Sequence, residues 1–468
     1  MPDGRHSASR GRSNPSDDAE RRALANEQRL KALGDAVDQR SGVKRRQRGH
    51  LTPRRRGRRW LIAGMSVVVL LGLLAGGGYL YAQYRFHQVP TISVPGIKYP
   101  EPNQPFNILA IGSDNRSGLS SALARETGAS SVSGQRSDVV KIIHVDPVND
   151  TVSIVSIPRD TVVTLLANQN LYGRFNRINV NYGSGPSLLV QTITANFGIT
   201  INHVVQVNFA GLINAAEAIH GVYLRFPYPS FDPNSDLQIR HAGCQLVTGF
   251  QALAVARSRH FFYLPHGTYQ LPKGWAQMAP DAQYSAITSL GWQYDGTSDF
   301  GRIDRQNAFL RAMLNRVKGD LFNPVALNSF FTNVPQGVTI DSTWSLNELI
   351  GLALKFHSLN SNAIRTYTVP TIGGVMGGAD VLFVQQPEAQ QLLVNVFGSA
   401  LTPPTNPPPN AALQTPMPPT VATTTTTVPL PTTTTKGSGK HHVTAPTTTT
   451  TNPTSAVPSF DPTPCPPS

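Results

Sequence analysis

Arginines and aspartates stand at the ends of two neighbouring apolar runs in this chain of 468 residues. Arg136 and Asp138 come just before the first run, and Arg159 and Asp160 follow the second. Each run is short, rich in β-branched residues and bounded by turn residues, which is typical of a buried or half-buried strand. The residues between the runs, Asp-Pro-Val-Asn-Asp, favour a tight turn. A hairpin would therefore gather the four charged side chains at one rim of a sheet.

More acids and arginines stand where other predicted elements begin or end, namely Asp114, Arg116, Arg257, Arg259, Arg302 and Arg305. Ligands of open α/β sheets bind beyond the carboxyl ends of strands, which favours a ligand near Asp114, Arg159 and Asp160. Two carboxylates with several arginines suit a Mg²⁺–diphosphate, because the metal takes oxygen ligands and guanidinium groups bind the remaining phosphate oxygens. The alternative is a set of surface ion pairs, each worth under about 1 kcal/mol.

Alternating strands and helices must position these side chains. Apolar runs predict a strand over 106–114 and a second over 203–212 that opens into a helix. Helical spacing of apolar residues predicts helices over 185–198, 248–260 and 299–319. Strands and helices mixed on this scale indicate an α/β or α+β layered domain.

The N-terminal part of the chain is basic and leads into an uncharged apolar segment. Residues 1–59 hold 17 Lys and Arg against 7 Asp and Glu, so they supply +10 of the net charge of +13. We expect them to be a disordered cytoplasmic segment, with a transient helix over 19–37. Residues 60–84 are long enough to cross a bilayer, and the arginines before them predict a cytoplasmic N-terminus. A cleaved signal peptide is the competing interpretation, although a leader of 59 residues is too long for an ordinary signal.

The C-terminal part is dominated by Pro and Thr and lacks the apolar residues of a core. Residues 399–468 therefore predict a disordered, extended tail. With a linker over 85–103, this leaves 104–398 as the folded extracytoplasmic domain. Cys244 and Cys465 are the two cysteines, and in an oxidising compartment they could pair, or Cys465 could join another chain. We expect instead a small buried thiol at Cys244.

Six motifs in order resemble those of the LytR–CpsA–Psr family and cover most of residues 104–320. They are NILAIGSDNR, RSDVVKIIHVDP, VSIVSIPRDTVV, RINVNYGSGPSLLVQTI, ALAVARSRH and DFGRIDRQNAFLRAML. Residues 345–398 resemble the closing strand and helix of the family. The resemblance implies an α/β fold, an α/β/α sandwich with a mixed central sheet preceded by one transmembrane helix.

The resemblance also implies an activity and its residues. Family members move a glycan phosphate from a polyprenyl-pyrophosphate carrier onto peptidoglycan, with the polyprenyl chain in a groove between sheet and helices. By matching position, Asp114 and Asp138 are the implied ligands of Mg²⁺ (or Mn²⁺). The implied pyrophosphate-binding arginines are Arg136, Arg159, Arg257 and Arg259, with Arg116, Arg302 and Arg305 as further candidates. Asp114, Asp138, Arg159 and Asp160 are the catalytic candidates, although Asp160 has an equally good role in orienting Arg159.

Two questions stay open at the level of sequence. The connection over 261–298 is long for the family, and its aromatic residues either contact glycan or membrane or form a small satellite cluster, which we expect. A membrane-anchored transcriptional regulator whose basic arm binds nucleic acid is a second functional class, although anionic lipid is the nearer partner and we expect no specific nucleic acid. A polyprenyl-pyrophosphate glycan carrier or pyrophosphatase would use the same site.

Overall fold

The computed structural model describes residues 15–42, 54–101, 103–116, 118–119, 137–275, 278, 280–320, 328–329, 332–358, 364–409 and 460–465. It divides into two compact units, residues 1–79 and 80–468. The helices are α1 (Pro15–Gly42), α2 (Arg54–Phe86), α3 (Gln169–Tyr172), α4 (Asn179–Tyr182), α5 (Pro186–Phe197), α6 (Phe209–Ala218), α7 (Gly249–Arg257), α8 (Pro280–Ser289), α9 (Asp299–Asp320), α10 (Leu346–Ser358) and α11 (Glu388–Phe397). Short 3-10 turns cover Val334–Gln336 and Gly398–Ala400.

Eighteen strands lie among the described residues of the second unit. They are β1 (Thr91–Ile92), β2 (Phe106–Ser113), β3 (Ser137–Asp146), β4 (Thr151–Ile157), β5 (Val162–Thr164), β6 (Phe175–Arg177), β7 (His203–Val207), β8 (Val222–Phe226), β9 (Ser230–Asp232), β10 (Leu237–Ile239), β11 (Gly243–Val247), β12 (Phe262–Tyr263), β13 (Gln293–Tyr294), β14 (Val338–Asp341), β15 (Ile364–Thr368), β16 (Thr371–Met376), β17 (Ala379–Val384) and β18 (Thr463–Pro464).

The first unit contains α1 and most of α2. Residues 15–42 form a 28-residue helix, whereas the sequence predicted a largely disordered segment with a transient helix over 19–37. Strong helix formers (Ala, Leu, Arg, Glu and Gln) are frequent in the segment, which favours the helix although residues 19–36 are all exposed. Within α2, Gly64–Phe86 is a candidate membrane span with a hydropathy of 1.8, and it is the one such helix among the described residues. It overlaps the predicted anchor over 60–84.

A seven-stranded mixed sheet forms the centre of the second unit, in the order β1-β14-β7-β2-β3-β4-β15. The pairs β2–β3 and β3–β4 are antiparallel, whereas β2–β7 and β4–β15 are parallel. The predicted hairpin is therefore confirmed as β3 and β4. Its turn is held by Asp146, whose Oδ1 accepts hydrogen bonds from the backbone N–H groups of Val148 (2.9 Å) and Asn149 (3.0 Å).

Helices cover both faces of this sheet. Successive residues of a strand point to opposite faces, so each strand contributes side chains to both helical layers. Leu109 and Ile111 of β2 belong to the buried cluster to which α5 and α11 contribute. Ile108 belongs to a cluster on the other face that includes residues of α10, and α9 packs against Ile154 nearby. Burial of each such side chain contributes about 1.5–3 kcal/mol. The α/β/α sandwich with a mixed central sheet is confirmed.

Residues 261–298 form the predicted satellite cluster. Phe231, Phe262 and Trp292 are buried together, with Trp275 and Tyr294 packed against them. Strands β10, β9, β12 and β13 form a four-stranded sheet beside this cluster. The preference for a packed aromatic cluster is therefore confirmed.

Both predicted boundaries of the folded domain need correction. The predicted linker over 85–103 contributes β1, which pairs with β14, and a buried Val94. Residues after 398 also contact the domain, since the Thr402 N–H donates to Gly198 O (2.9 Å) and the Asn406 N–H to Ala195 O (2.9 Å). These backbone bonds hold residues that composition alone assigned to a linker and a tail.

The prediction of a free thiol at Cys244 is wrong. Cys244 forms a disulfide with Cys465, with the two Cα atoms 6.0 Å apart. Residues 460–465 lie against the domain, where β18 pairs with β8 in a three-stranded sheet with β11. Residues 410–459 of the predicted tail lie outside the described residues.

Candidate functional site

A β-bulge in the pairing of β2 with β3 directs Asp138 towards the rim of the sheet. Gly112 pairs with Val139 and Ser113 pairs with Ser137, so Asp138 is the extra residue between two paired positions. Gly112 permits this close approach, because a Cβ there would lie 2.8 Å from the Cβ of Val139. Bulges of this kind redirect a side chain and are frequent beside functional sites. Asp114 follows Ser113 directly, so both candidate carboxylates lie at the same place in the sheet.

Arg159, just after β4, connects Asp138 to two other carboxylates. Its Nη1 donates a hydrogen bond to Asp138 Oδ1, and its Nε donates to Asp160 Oδ2 (3.3 Å). The same Nε lies 3.6 Å from Asp299 Oδ2. Burial lowers the pKa of the Arg159 guanidinium, but the three carboxylates outweigh burial and raise the pKa above its usual value. Arg159 is therefore held charged at the rim.

Asp299, the first residue of α9, links three arginines and was missed by the sequence analysis. Besides Arg159, its carboxylate contacts Arg259 Nε (2.7 Å) and Arg302 Nη2 (2.9 Å). Arg302 Nη2 also donates to the backbone oxygen of Asp138 (3.0 Å), which joins α9 to the bulge. The available signal was an acid at the start of a helix, where the helix dipole stabilises negative charge.

Arg116 and Arg257 lie over the same aromatic ring. The guanidinium carbons are 5.7 Å and 5.1 Å from the centroid of Phe209, the first residue of α6. Burial lowers the pKa of Arg257, and the positive charge of Arg116 lowers it further. Phe209 was also missed, because an aromatic residue at a helix start carries no distinctive sequence signal. The ring gives two mutually repelling cations a common contact.

Other predicted site residues have defined neighbours. Asp160 Oδ1 accepts a hydrogen bond from Arg177 Nη1 (3.4 Å), so Asp160 lies between Arg159 and Arg177. This arrangement is the one expected of an orienting carboxylate. Asp114 lies near Tyr182, whose hydroxyl interacts with Ser113; burial is the main cause that raises the pKa of Tyr182, and the charge of Asp114 adds to it.

Two predicted site arginines are not found in the cleft among the described residues, namely Arg136 and Arg305. Arg136 lies outside the described residues. The prediction that Arg305 binds the pyrophosphate directly is corrected, because its side chain is fully buried and its Nη1 binds Asp295 (2.8 Å) and Asp461 (2.6 Å). Arg302 is largely buried, yet it lines the cleft that also includes Asp138 and Arg159.

A buried lysine behind the cleft was not anticipated. Lys141 of β3 points to the face covered by α9, where its Nζ donates to Ser156 Oγ (2.8 Å) and Asn307 Oδ1 (2.7 Å). Burial lowers the pKa of Lys141 from 10.5 to about 7, with a further decrease from the nearby charge of Arg302. The sequence signal for this buried lysine was its position inside the apolar run of β3. Polar partners on β4 and α9 accommodate its amine there.

The rim carboxylates Asp114 and Asp138 are oxygen donors of the kind that bind Mg²⁺. Among the described residues, no group of three or more His, Cys, Asp or Glu side chains is placed to hold a metal ion. Mg²⁺ usually takes one or two carboxylates and completes its coordination with water and substrate phosphates. The oxygen donors of Asp114 and Asp138, which the bulge brings to one rim, fit that smaller share.

The sandwich and its rim define an α/β domain with a polar cleft in which arginines are crowded around a few carboxylates. The LytR_cpsA_psr family model matches residues 82–263 and 287–397, which is more than half of the chain. The protein belongs to this family.

The chain is also similar to named proteins and to solved structures. The chain is 29% identical over 271 residues to "Probable cell wall biosynthesis protein LcpB" of Corynebacterium glutamicum, covering 56% of this chain and 54% of that protein. It is 29% identical over 208 residues to "Polyisoprenyl-teichoic acid--peptidoglycan teichoic acid transferase TagU" of Halalkalibacterium halodurans, covering 43% and 62%. The match thus spans less than two thirds of either relative. A structure of "LytR-Csp2A-Psr enzyme from Actinomyces oris" has 20% identity and a TM-score of 0.47, covering 69% of this chain and 99% of that one.

Proposed function

We propose that this protein transfers a glycan phosphate from a polyprenyl-pyrophosphate carrier onto peptidoglycan. The observation that carries the proposal is the crowding of arginines around a few carboxylates. Arg159, Arg259 and Arg302 share the carboxylate of Asp299, Arg159 also pairs with Asp138 and Asp160, and Arg116 and Arg257 lie beside them. A diphosphate, with its several anionic oxygens, is suited to such an excess of guanidinium groups. The transferase names of relatives in the same family support the choice of reaction.

The arginines would bind the diphosphate and stabilise the charge that develops during transfer. Arg159 and Arg259 are partly exposed, so their guanidinium groups can turn from carboxylate partners to phosphate oxygens. Arg116 and Arg257 would bind from the side of Phe209. Asp160, which Arg177 contacts, would hold the Nε of Arg159 in place while Nη1 exchanges Asp138 for a phosphate oxygen. Preorganised donors of this kind commonly contribute about 10²–10³-fold each to a rate.

The reaction follows from these roles. A sugar hydroxyl of peptidoglycan attacks the phosphorus on the glycan side, and a new P–O bond forms as the bond to the bridging oxygen breaks. Polyprenyl phosphate leaves with the bonding electron pair, the hydroxyl proton is released, and arginine side chains balance the charge on the leaving group. Asp114 and Asp138 would hold Mg²⁺ (or Mn²⁺), which supplies further positive charge to the diphosphate. The polyprenyl chain would lie in a groove between sheet and helices.

The proposed location is the cell membrane, with the N-terminus in the cytoplasm and the second unit outside. Arginines precede the candidate span, as the positive-inside rule requires of a cytoplasmic N-terminus. The disulfide Cys244–Cys465 also supports an oxidising compartment for the second unit.

The test uses the full-length protein in detergent micelles. We would incubate it and Mg²⁺ with a polyprenyl-pyrophosphate oligosaccharide and uncrosslinked peptidoglycan, and measure glycan phosphate attached covalently to peptidoglycan. Asp138→Asn should reduce attachment by about 10²-fold or more, because it removes the negative charge that would bind the metal ion and that pairs with Arg159. The matched control is Asp150→Asn at the turn end of the same hairpin, where Asp150 is exposed and pairs with Lys355 at 3.6 Å.

Other outcomes would replace the proposal. Released glycan phosphate without attachment, with several acceptors, would identify a pyrophosphatase. Bound but unchanged lipid would identify a carrier. A regulator would lose its transcriptional output when residues 1–50 are deleted, whereas a transferase would keep its attachment activity.

A further inference from the structure

Residues 460–465, here called the C-terminal strap, are fastened to the second unit by several kinds of contact. Thr463 pairs with Arg225 of β8, and the Cys465 N–H donates to Tyr223 O (3.2 Å). Cys465 is joined to Cys244 by the disulfide. The ring of Phe460 stacks on that of Tyr263, with centroids 4.6 Å apart and an interplanar angle of 7°. The strap is thus an integral part of the domain.

The strap brings a carboxylate to a buried arginine. Asp461 Oδ1 accepts a hydrogen bond of 2.6 Å from Arg305 Nη1, and Asp295 Oδ2 accepts one of 2.8 Å from the same nitrogen. All three side chains are fully buried. Asp295 is itself held by the backbone N–H of Thr297 (3.0 Å). Two carboxylates therefore fix the plane of one guanidinium group.

The second terminal nitrogen of that guanidinium group binds the backbone segment that carries Arg257 and Arg259. Arg305 Nη2 donates to the backbone oxygen of Ser258 (3.2 Å), the residue between Arg257 and Arg259. On the opposite side, Asp232 Oδ2 accepts hydrogen bonds from Ser258 Oγ (2.6 Å) and the His260 N–H (2.8 Å). The backbone that carries the two arginines is thus held between Arg305 and Asp232.

We propose that Asp461 is a positioning residue for the arginine pair Arg257 and Arg259, acting through Arg305; this inference rests on the proposed diphosphate site. Asp461 fixes Arg305 Nη1, which aims Nη2 at the Ser258 carbonyl group. Without Asp461, Asp295 is the one carboxylate left on Nη1, and the ring of Phe261, whose centroid is 4.5 Å from the guanidinium carbon, leaves the group free to turn in its own plane away from Ser258. The two arginines then lose their fixed separation, which a diphosphate requires for simultaneous contact.

The test measures binding of inorganic pyrophosphate to the full-length protein by isothermal titration calorimetry with Mg²⁺. Asp461→Ala should lower the affinity about tenfold, which is about 1.4 kcal/mol. Asp461→Asn should restore it to within about twofold, because the amide oxygen still accepts from Arg305. The matched control is Asp150→Ala at the turn between β3 and β4. It removes the exposed ion pair with Lys355 and should leave the affinity for pyrophosphate unchanged. Equal affinity of folded Asp461→Ala and wild-type protein would overturn the inference.

A second measurement separates this inference from the proposed function and from misfolding. Amide hydrogen exchange of residues 257–260 should accelerate in Asp461→Ala and in Arg305→Lys, which keeps the charge but lacks the two-pronged donor. If wild-type protein binds no pyrophosphate but exchange accelerates, the proposed function fails while the link between strap and arginine segment stands. If Asp461→Ala does not fold, Arg305→Lys decides, and unchanged exchange there overturns the inference.

Discussion

Replacement of Lys141 by Met should change how the stability of the second unit depends on pH. Lys141 is buried between β4 and α9, and its pKa falls from 10.5 to about 7 on folding, with burial as the main cause. In the unfolded chain the amine keeps its ordinary pKa, so between pH 7 and 10.5 the unfolded state binds more protons. Stability must therefore rise with pH across that window, and the gain is complete only above the unfolded pKa.

The magnitude follows from the two pKa values. Between pH 6.5 and 8.5, Lys141 should add about 2 kcal/mol to the free energy of unfolding, because the folded amine loses its proton while the unfolded amine retains it. Lys141→Met should remove this increment. Met also leaves Ser156 and Asn307 without their shared donor, so the variant loses hydrogen bonds but gains a side chain that needs no desolvated charge.

The assay is denaturant unfolding of the full-length protein at pH 6.5, 7.5 and 8.5, followed by fluorescence of the buried Trp292 and Trp344. The informative quantity is the wild-type free energy minus that of the variant, because other titrating groups cancel in the difference. Lys355→Met is the matched control, since Lys355 is partly exposed and its loss should give a flat difference. A flat difference for Lys141→Met as well would refute the assignment of a nearly neutral buried lysine.

Two further predictions concern the disulfide and the shared aromatic ring. The double variant Cys244→Ser, Cys465→Ser should lower the free energy of unfolding by up to about 5 kcal/mol, because the disulfide closes a loop between residues 221 positions apart. Denaturation of the double variant, and of the wild-type protein with and without reductant, measures this difference. Equal free energies of unfolding in all three cases would contradict the prediction. Phe209→Leu should weaken pyrophosphate binding by roughly 2- to 30-fold, the equivalent of about 0.5–2 kcal/mol, because it removes the ring that Arg116 and Arg257 contact. Calorimetry measures the affinity. Phe175→Leu, which removes the contact with Arg174 at 5.3 Å, is the control.

Local patterns in the sequence carried most of the sandwich and half of the site. The hairpin of β3 and β4 was predictable because its turn and its apolar runs are contiguous in the chain, and Arg159 and Asp138 came with it. The bulge at Asp138 was not predictable from the sequence, because a register shift depends on the partner strand and on the space that Gly112 leaves. Asp299 was missed for a related reason, because its role arises only when α9 meets the bulge.

The C-terminal strap shows where composition misleads. A Pro- and Thr-rich segment cannot form a core, and this reasoning correctly describes its lack of apolar residues. It overlooks that residues 460–465, near the end of the segment, can be held by pairing with an existing strand, β8, and by a disulfide with Cys244. Arg305 also shows that a local motif does not determine the contacts of a side chain. Its motif indicated a ligand contact, but its partners Asp295 and Asp461 lie 10 and 156 positions away along the chain.

The arginines of the cleft differ in how far nearby carboxylates balance their positive charge. This difference predicts the order in which they would bind an incoming anion. The pKa of Arg159 is raised because three carboxylates surround it, whereas burial and Arg116 lower the pKa of Arg257. A lowered pKa means that the charged form is under-stabilised in the protein alone, so an arriving anion gains more at Arg257 than at Arg159. Binding at Arg159 first requires the displacement of Asp138, which costs part of the interaction. The first phosphate group should therefore meet Arg257 and Arg116 over Phe209, and the second should then compete with Asp138 for Arg159.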